Sequence, residues 1–283
     1  MTTAVFLITC PDRPGLVAAV ANFVAGHGGN ILHADQHTDA APGVFFQRVE
    51  FVLDGFPLAR EEIAPAFAPV AASLGMQVQV AFGDEVPRLA VLASREPHCL
   101  TDLLARNAAG ELSADIRVVA SNHPDHRATT EFYGVPYHYL PVTPDTKAHQ
   151  EAELAALLAA EGIDLVVLAR YMQVLSDDFV ARYPNRIINI HHSFLPAFVG
   201  ARPYHQAHAR GVKVIGVTAH YATSALDEGP IIDQDVVRIS HRDSVDDLVR
   251  KGRDLEKVVL ARAIRAHVEH RVLVFGNKTV VFD

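Results

Sequence analysis

The feature that most constrains this chain is a train of short apolar runs separated by stretches of helical character. Residues 89–94, 116–121, 165–169 and 186–190 are each long enough for one strand. Helical segments are expected over 98–107, 124–133, about 146–160, and 177–182, where Ser176 can cap the start; a brief strand is expected at 137–140. Apolar strands alternating with helices predict a mostly parallel sheet covered on both faces. Longer strands at 212–222 and 231–239 fit an antiparallel edge. A long helix over 245–267 and a terminal hairpin, VLVFGNKTVVF with its turn at Gly276–Asn277, complete the chain.

Residues 1–83 carry a different pattern. A strand at 5–9 leads through a Pro-rich turn to Leu16, Val20, Phe23 and Val24 at helical spacing, stopped by Gly28–Gly29. Strands are expected at 30–37 and 45–53. Ile63, Phe67, Val70 and Leu74 return to the helical period, with Pro65 and Pro69 expected to kink or restart that helix. A last strand at 76–82 gives the order βαββαβ, a ferredoxin-like module. The polar link at 83–88 predicts a boundary between domains 1–83 and 84–283.

Composition narrows the function. Twenty-five basic against 33 acidic residues give a net charge of −8. With no basic stripe, nucleic acid is excluded as an expected partner. Cys10 and Cys99 are the only cysteines, too few for a disulfide framework or zinc cluster. The amino-terminal stretch lacks a basic leader and no run reaches the length of a membrane span, so a cytoplasmic protein is expected. Sixteen histidines invite a metal reading, but there is no HExxH motif. A zinc site built on His191, His192 and His220 is disfavoured, because adjacent strand residues point to opposite faces.

In an open parallel sheet, ligands bind beyond the carboxyl ends of the strands. The 186–190 strand ends in His191–His192. The 212–222 strand carries His220, and Asp227 follows seven residues later. Asn189 and His191 share a strand face. Together with Asp227 they supply donors for an oxyanion and a base for a nucleophile, a set suited to attack on a carbonyl. A satisfied polar pair at a strand end would leave the same trace.

The segments NIHHSFLPAF, ARPYHQAHARG and VTAHYATSALDEGPIIDQD resemble the formyltransferase fold family that handles 10-formyltetrahydrofolate. Asn189, His191, His220 and Asp227 match its motif in order. The first strand of the second domain ends in ASREPHCLTDLL, which has no glycine to cradle a phosphate. That segment, with LARYMQVLS and VRKGRDLEKVVLARA, is similar to the formyltetrahydrofolate deformylases. TCPDRPGLVAAVANFVAGHGGNI resembles the opening of the ACT domains those enzymes carry.

The resemblance implies hydrolysis of 10-formyltetrahydrofolate to tetrahydrofolate and formate, linked to one-carbon supply and purine biosynthesis, with folate as substrate and no resident cofactor. It implies Asn189, His191 and Asp227 as catalytic residues. It places folate against Met172, Gln173, Val174 and Leu175, and against Ala222, Thr223, Ser224, Ala225 and Leu226. Ser94, His98, Cys99 and His220 are expected as pocket wall, the first three filling an acceptor's space. Asp12, Arg13, Pro14, Gly15 and Asn30 stand where ACT modules bind effectors, often amino acids, between paired copies, which implies a homo-oligomer. The alternatives are a folate-dependent formyltransferase, such as a glycinamide ribonucleotide transformylase, and a non-catalytic folate or amino-acid sensor.

Overall fold

The computed structural model describes residues 2–197 and 202–283. Phe198 and Ala201, which end and open two of the motif segments quoted above, lie outside them. The chain forms two compact units. The first comprises Met1–Glu85 with Glu269–Phe275 and Thr279–Asp283; the second comprises Val86–Val268 with Gly276–Lys278. Among the described residues no helix is long and apolar enough to cross a membrane.

The first unit runs β1 (Thr3–Pro11), α1 (Leu16–Gly26), β2 (Ile31–Asp39), β3 (Val44–Val52), α2 (Arg60–Leu74) and β4 (Gln77–Phe82), the expected βαββαβ. Its sheet is ordered β2-β3-β1-β4 and is antiparallel throughout. Ala4, Phe6 and Ile8 of β1 pack with Val20 and Phe23 of α1 and Ile63 and Phe67 of α2. The expected break in α2 does not occur: Pro65 and Pro69 lie inside one continuous helix. Both are on its exposed face, so the carbonyls they leave unpaired can be solvated by water.

The terminal hairpin, β12 (Val272–Phe275) and β13 (Lys278–Val281), was expected within a domain 84–283. Its apolar side chains instead join the first unit. Leu273 and Phe282 are buried with Val5, Leu7 and Phe46, on the sheet face opposite the helices. The Phe46 and Phe275 rings meet edge to face at 5.5 Å. Burial of that second face decides the assignment, because a strand apolar on both sides needs cover on both.

The second unit contains β5 (Arg88–Ala93), α3 (His98–Ala108), β6 (Asp115–Ser121), α4 (Arg127–Phe132), β7 (Tyr137–Tyr139), α5 (Lys147–Ala160), β8 (Leu165–Ala169), α6 (Asp177–Ala181), β9 (Ile187–His191), α7 (Pro203–Arg210), β10 (Val214–Tyr221), β11 (Ile231–Arg238) and α8 (Val245–Val268). The sheet order is β11-β10-β9-β8-β5-β6-β7. The strands from β7 to β9 are parallel; β10 and β11 form the antiparallel edge. The chain winds outward from β5 to β7, then returns on the other side through β8 and β9. That reversal makes a crevice beyond the carboxyl ends of β5 and β8. Helix α7 had no expected counterpart, although Pro203 at its first turn and Gly211 in a left-handed C-cap are ordinary boundary residues.

Candidate active site

Alternation along β9 sends Ile187, Asn189 and His191 to one face and Ile188, Ile190 and His192 to the other. Ile187 belongs to the core that α5 and α6 cover. Asn189 therefore faces that side. It pairs across the ladder with His220 of β10, and its Nδ2 lies 3.1 Å from His220 Nε2.

The hydrogen bonds fix the polarity of this pair. His220 Nδ1 lies 3.0 Å from the Tyr221 carbonyl oxygen, which can only accept, so Nδ1 carries the proton. Burial favours the neutral ring and lowers its pKa. Nε2 is then an acceptor for an Asn189 amide proton, and this orients the amide. The second Asn189 Nδ2 proton stays available to a ligand.

Asp227 lies in the loop between β10 and β11 with its backbone in the left-handed region, φ +58°. Its Oδ1 is 3.2 Å from His191 Nδ1 and 3.8 Å from His220 Nε2. The His191 hydrogen bond holds the carboxyl pKa below its usual value, outweighing the opposing effect of burial. Asp227 is a carboxylate that accepts the Nδ1 proton. His191 Nε2 is buried and has no hydrogen-bond partner among the described residues. His191 lines a cavity of about 530 Å³ together with Asn189, His220 and Asp227.

Met172, Gln173, Val174 and Leu175 line this cavity, as do Ala222, Thr223, Ser224 and Leu226; Ala225 does not. Met172, Val174 and Leu226 are more than half exposed, an apolar rim suited to a flat ring system. Of the four expected wall residues only His220 reaches the cavity. Ser94 is buried behind it, where its hydroxyl accepts the Met172 N–H at 3.0 Å and donates to Asn122 Oδ1 at 2.7 Å. Cys99 is fully buried, and burial pushes its thiol pKa well up, so it is no nucleophile. Asp12, Arg13, Pro14, Gly15 and Asn30 are exposed in the first unit, the first four in the turn between β1 and α1.

His98 belongs to a second polar cluster that sequence reasoning missed. Glu256 on α8 is almost fully buried. It accepts from Tyr204 Oη at 2.7 Å, lies 2.7 Å from His98 Nε2, and pairs with Arg170 Nε at 3.5 Å. A Cβ on Gly252, one turn earlier on α8, would fall 2.0 Å from the Tyr204 hydroxyl, so the glycine makes room for that contact. Arg170, His192 and Arg202 line the cavity and were not anticipated. Arg170 is left-handed, φ +61°, a strain of about 1–2 kcal/mol for an L residue. A signal for Glu256 existed: it lies in the apolar stripe of α8 between Leu248 and Val259.

His98, Cys99 and Glu256 bring three metal-ligating atoms within 4.8 Å of one another. The Glu256 oxygens are engaged by Tyr204 and His98 and face the Arg170 cation, and Cys99 is a protonated thiol. This donor set fits a hydrogen-bond knot better than a cation.

The family model for formyl transferases matches residues 87–264, and that for ACT domains matches residues 4–68. A formyltetrahydrofolate deformylase from Synechocystis is 57% identical over 280 residues, which cover 99% of this chain and 98% of the relative. The crystal structure of a formyltetrahydrofolate deformylase from Pseudomonas syringae superposes with a TM-score of 0.97 at 51% identity, covering 100% of this chain and 95% of that one. A glycinamide ribonucleotide transformylase from Symbiobacterium toebii has 34% identity and a TM-score of 0.66, over 70% of this chain and 95% of its own.

Proposed function

The chain belongs to the formyltetrahydrofolate deformylase family, and from that premise we propose that Asn189, His191 and Asp227 carry the hydrolysis of 10-formyltetrahydrofolate to tetrahydrofolate and formate. The observation that supports this reading best is the state of His191, which lines the cavity: one ring nitrogen is held by a carboxylate, and the other is buried with no partner among the described residues.

The pterin lies on the apolar rim of Met172, Val174 and Leu226, which presents N10 and its formyl group to the sheet edge. Water attacks the formyl carbon. The oxygen that gains charge accepts from the free Asn189 Nδ2 proton and, when the ring carries both protons, from His191 Nε2. The Asp227 carboxylate offsets the imidazolium charge and takes the proton that water sheds. As the C–N10 bond breaks, that proton passes to N10, and tetrahydrofolate and formate leave. The released formate and tetrahydrofolate feed one-carbon supply and purine biosynthesis. Two free, buried cysteines accord with a reducing, cytoplasmic setting.

Formate release from 10-formyltetrahydrofolate tests the reading. Wild type should release formate without an added amine, and Asn189→Ala and Asp227→Asn should each lower kcat by about 10²–10³. Release only in the presence of an amine acceptor would make the chain a transferase, and folate binding without turnover would make it a sensor.

The first unit fits assembly and effector binding. Strand β2 is an edge of nine residues, exposed along most of its length, and natural proteins seldom leave such an edge uncovered. A second copy pairing there would form a homo-oligomer, with the Asp12–Arg13–Pro14–Gly15 turn and Asn30 offered to an amino acid. Analytical ultracentrifugation with and without amino acids checks this. A single-chain mass at micromolar concentration under all conditions contradicts it.

A further inference from the structure

We propose that Arg170, ion-paired with Glu256, walls off the formyl carbon from bulky nucleophiles and so commits the site to hydrolysis. The inference rests on the deformylase reading above.

The carboxyl edge of the sheet has two sides. On the side of α5 and α6 stand Asn189, His191 and the folate rim; Leu175 and Ala222 pack directly on that core. On the side of α8 stand His192, Tyr204, His98, Glu256 and Arg170. With folate on the first side, a nucleophile bearing any substituent must place it on the second.

The backbone of Arg170 is arranged to fill that second side. Leu168 points into the α5 core, and simple alternation would send residue 170 the same way. The left-handed φ at Arg170 breaks the alternation. Tyr171 enters the α5 core instead, with its hydroxyl accepting from Gln150 Nε2 at 3.1 Å. The Arg170 side chain goes to Glu256, is only 12% exposed, and lines the cavity. Glycine would suit this φ without strain, and no buried cation would be needed. What arginine adds is volume and a planar cation, facing at 3.5 Å, as an ion pair without a hydrogen bond from Nε, a carboxylate that His98 and Tyr204 hold.

The excluded reaction uses the same chemistry. An amine nitrogen bonds to the formyl carbon, the same donors hold the oxyanion, the C–N10 bond breaks, and the amine proton ends on N10. The products are tetrahydrofolate and a formamide. Choice between water and amine is therefore a matter of access.

Hydroxylamine and O-benzylhydroxylamine present a similar nucleophilic nitrogen with very different bulk. The ratio of formylated amine to formate is measured for each, in wild type and Arg170→Gly, after subtracting the uncatalysed reaction. Wild type should exclude O-benzylhydroxylamine, and Arg170→Gly should raise its ratio at least about tenfold, the scale of a small steric change. Capture of O-benzylhydroxylamine by wild type as readily as hydroxylamine would overturn the proposal. So would an active Arg170→Gly enzyme that still excludes it. If the variant releases no formate, the wild-type size comparison decides alone. A wild type that releases no formate at all refutes the deformylase reading instead.

Discussion

His191 and His192 differ by one position on β9 and by one face of the sheet, and their chemistry diverges accordingly. His191 is held by Asp227. His192 lies near Arg170, with its ring 6.1 Å from Tyr204, and burial, reinforced by the Arg170 cation, lowers its pKa from 6.5 to about 3. The consequence for stability has a definite sign. Above pH 6.5 the ring is neutral in both folded and unfolded chains. Between 6.5 and about 3 the unfolded chain takes up a proton that the folded one refuses, so stability falls with falling pH, by up to about 1.4 kcal/mol per pH unit. His220 and His270 are shifted in the same direction. Urea unfolding at pH 7.5 and pH 5 should show this loss, and His192→Gln should lessen it; a variant as acid-sensitive as wild type would refute the assignment. The shared face of Asn189 and His191 was legible from strand periodicity alone. Arg170 was not, because the positive φ that redirects it breaks that very periodicity.

Helix α8 shows what periodicity delivers and omits at the scale of an element. Its apolar stripe announces a long packed helix, and one forms over Val245–Val268. The stripe also contains Gly252 and Glu256, which a hydrophobic pattern treats as blemishes. They are a matched pair: Gly252 admits the Tyr204 phenol, and Glu256 receives its hydrogen bond. Gly252→Ala tests this, because intrinsic propensity and packing predict opposite outcomes. Alanine is favoured over glycine in a helix interior by about 1 kcal/mol. Here its Cβ would lie 2.0 Å from a buried hydroxyl, and displacing Tyr204 leaves Glu256 short of a donor. Overpacking costs about 1–3 kcal/mol, to which a lost hydrogen bond to a charged group adds about 1.5–3 kcal/mol. The melting temperature should therefore fall. A rise would show that the phenol relaxes freely and that the glycine is incidental. Helix α2 teaches the converse. Its prolines read as breaks in the sequence, yet they fall on the solvent face, where the missing donors cost least.

For the whole molecule, the question is where the last residues of the chain go. The Gly276–Asn277 turn announces a hairpin but not the surface it covers. The decisive signal lies at the other end of the chain. Residues Ala4, Val5, Phe6, Leu7 and Ile8 form an unbroken apolar run and are all buried. A ferredoxin-like sheet with helices on one face needs apolar side chains only at alternate positions of β1. A continuous run requires a second cover, and Leu273 and Phe282 supply it over Val5, Leu7 and Phe46. Arg48 ties the approach to the hairpin as well, donating through Nε to the His270 carbonyl at 3.0 Å. Truncation after Val268 should therefore weaken the first unit. Each large apolar side chain uncovered forfeits about 1.5–3 kcal/mol, and three of them in the hairpin, Leu273, Phe275 and Phe282, pack on this face. Calorimetry should show a lower transition for the first unit, and limited proteolysis should cut within residues 1–85 before it cuts within 86–268. None of the residues assigned to formyl transfer to water lies in the deleted segment, so formate release per folded molecule should persist. An unchanged transition would mean that the outer face of β1 finds another cover, and the continuous apolar run would lose its explanation.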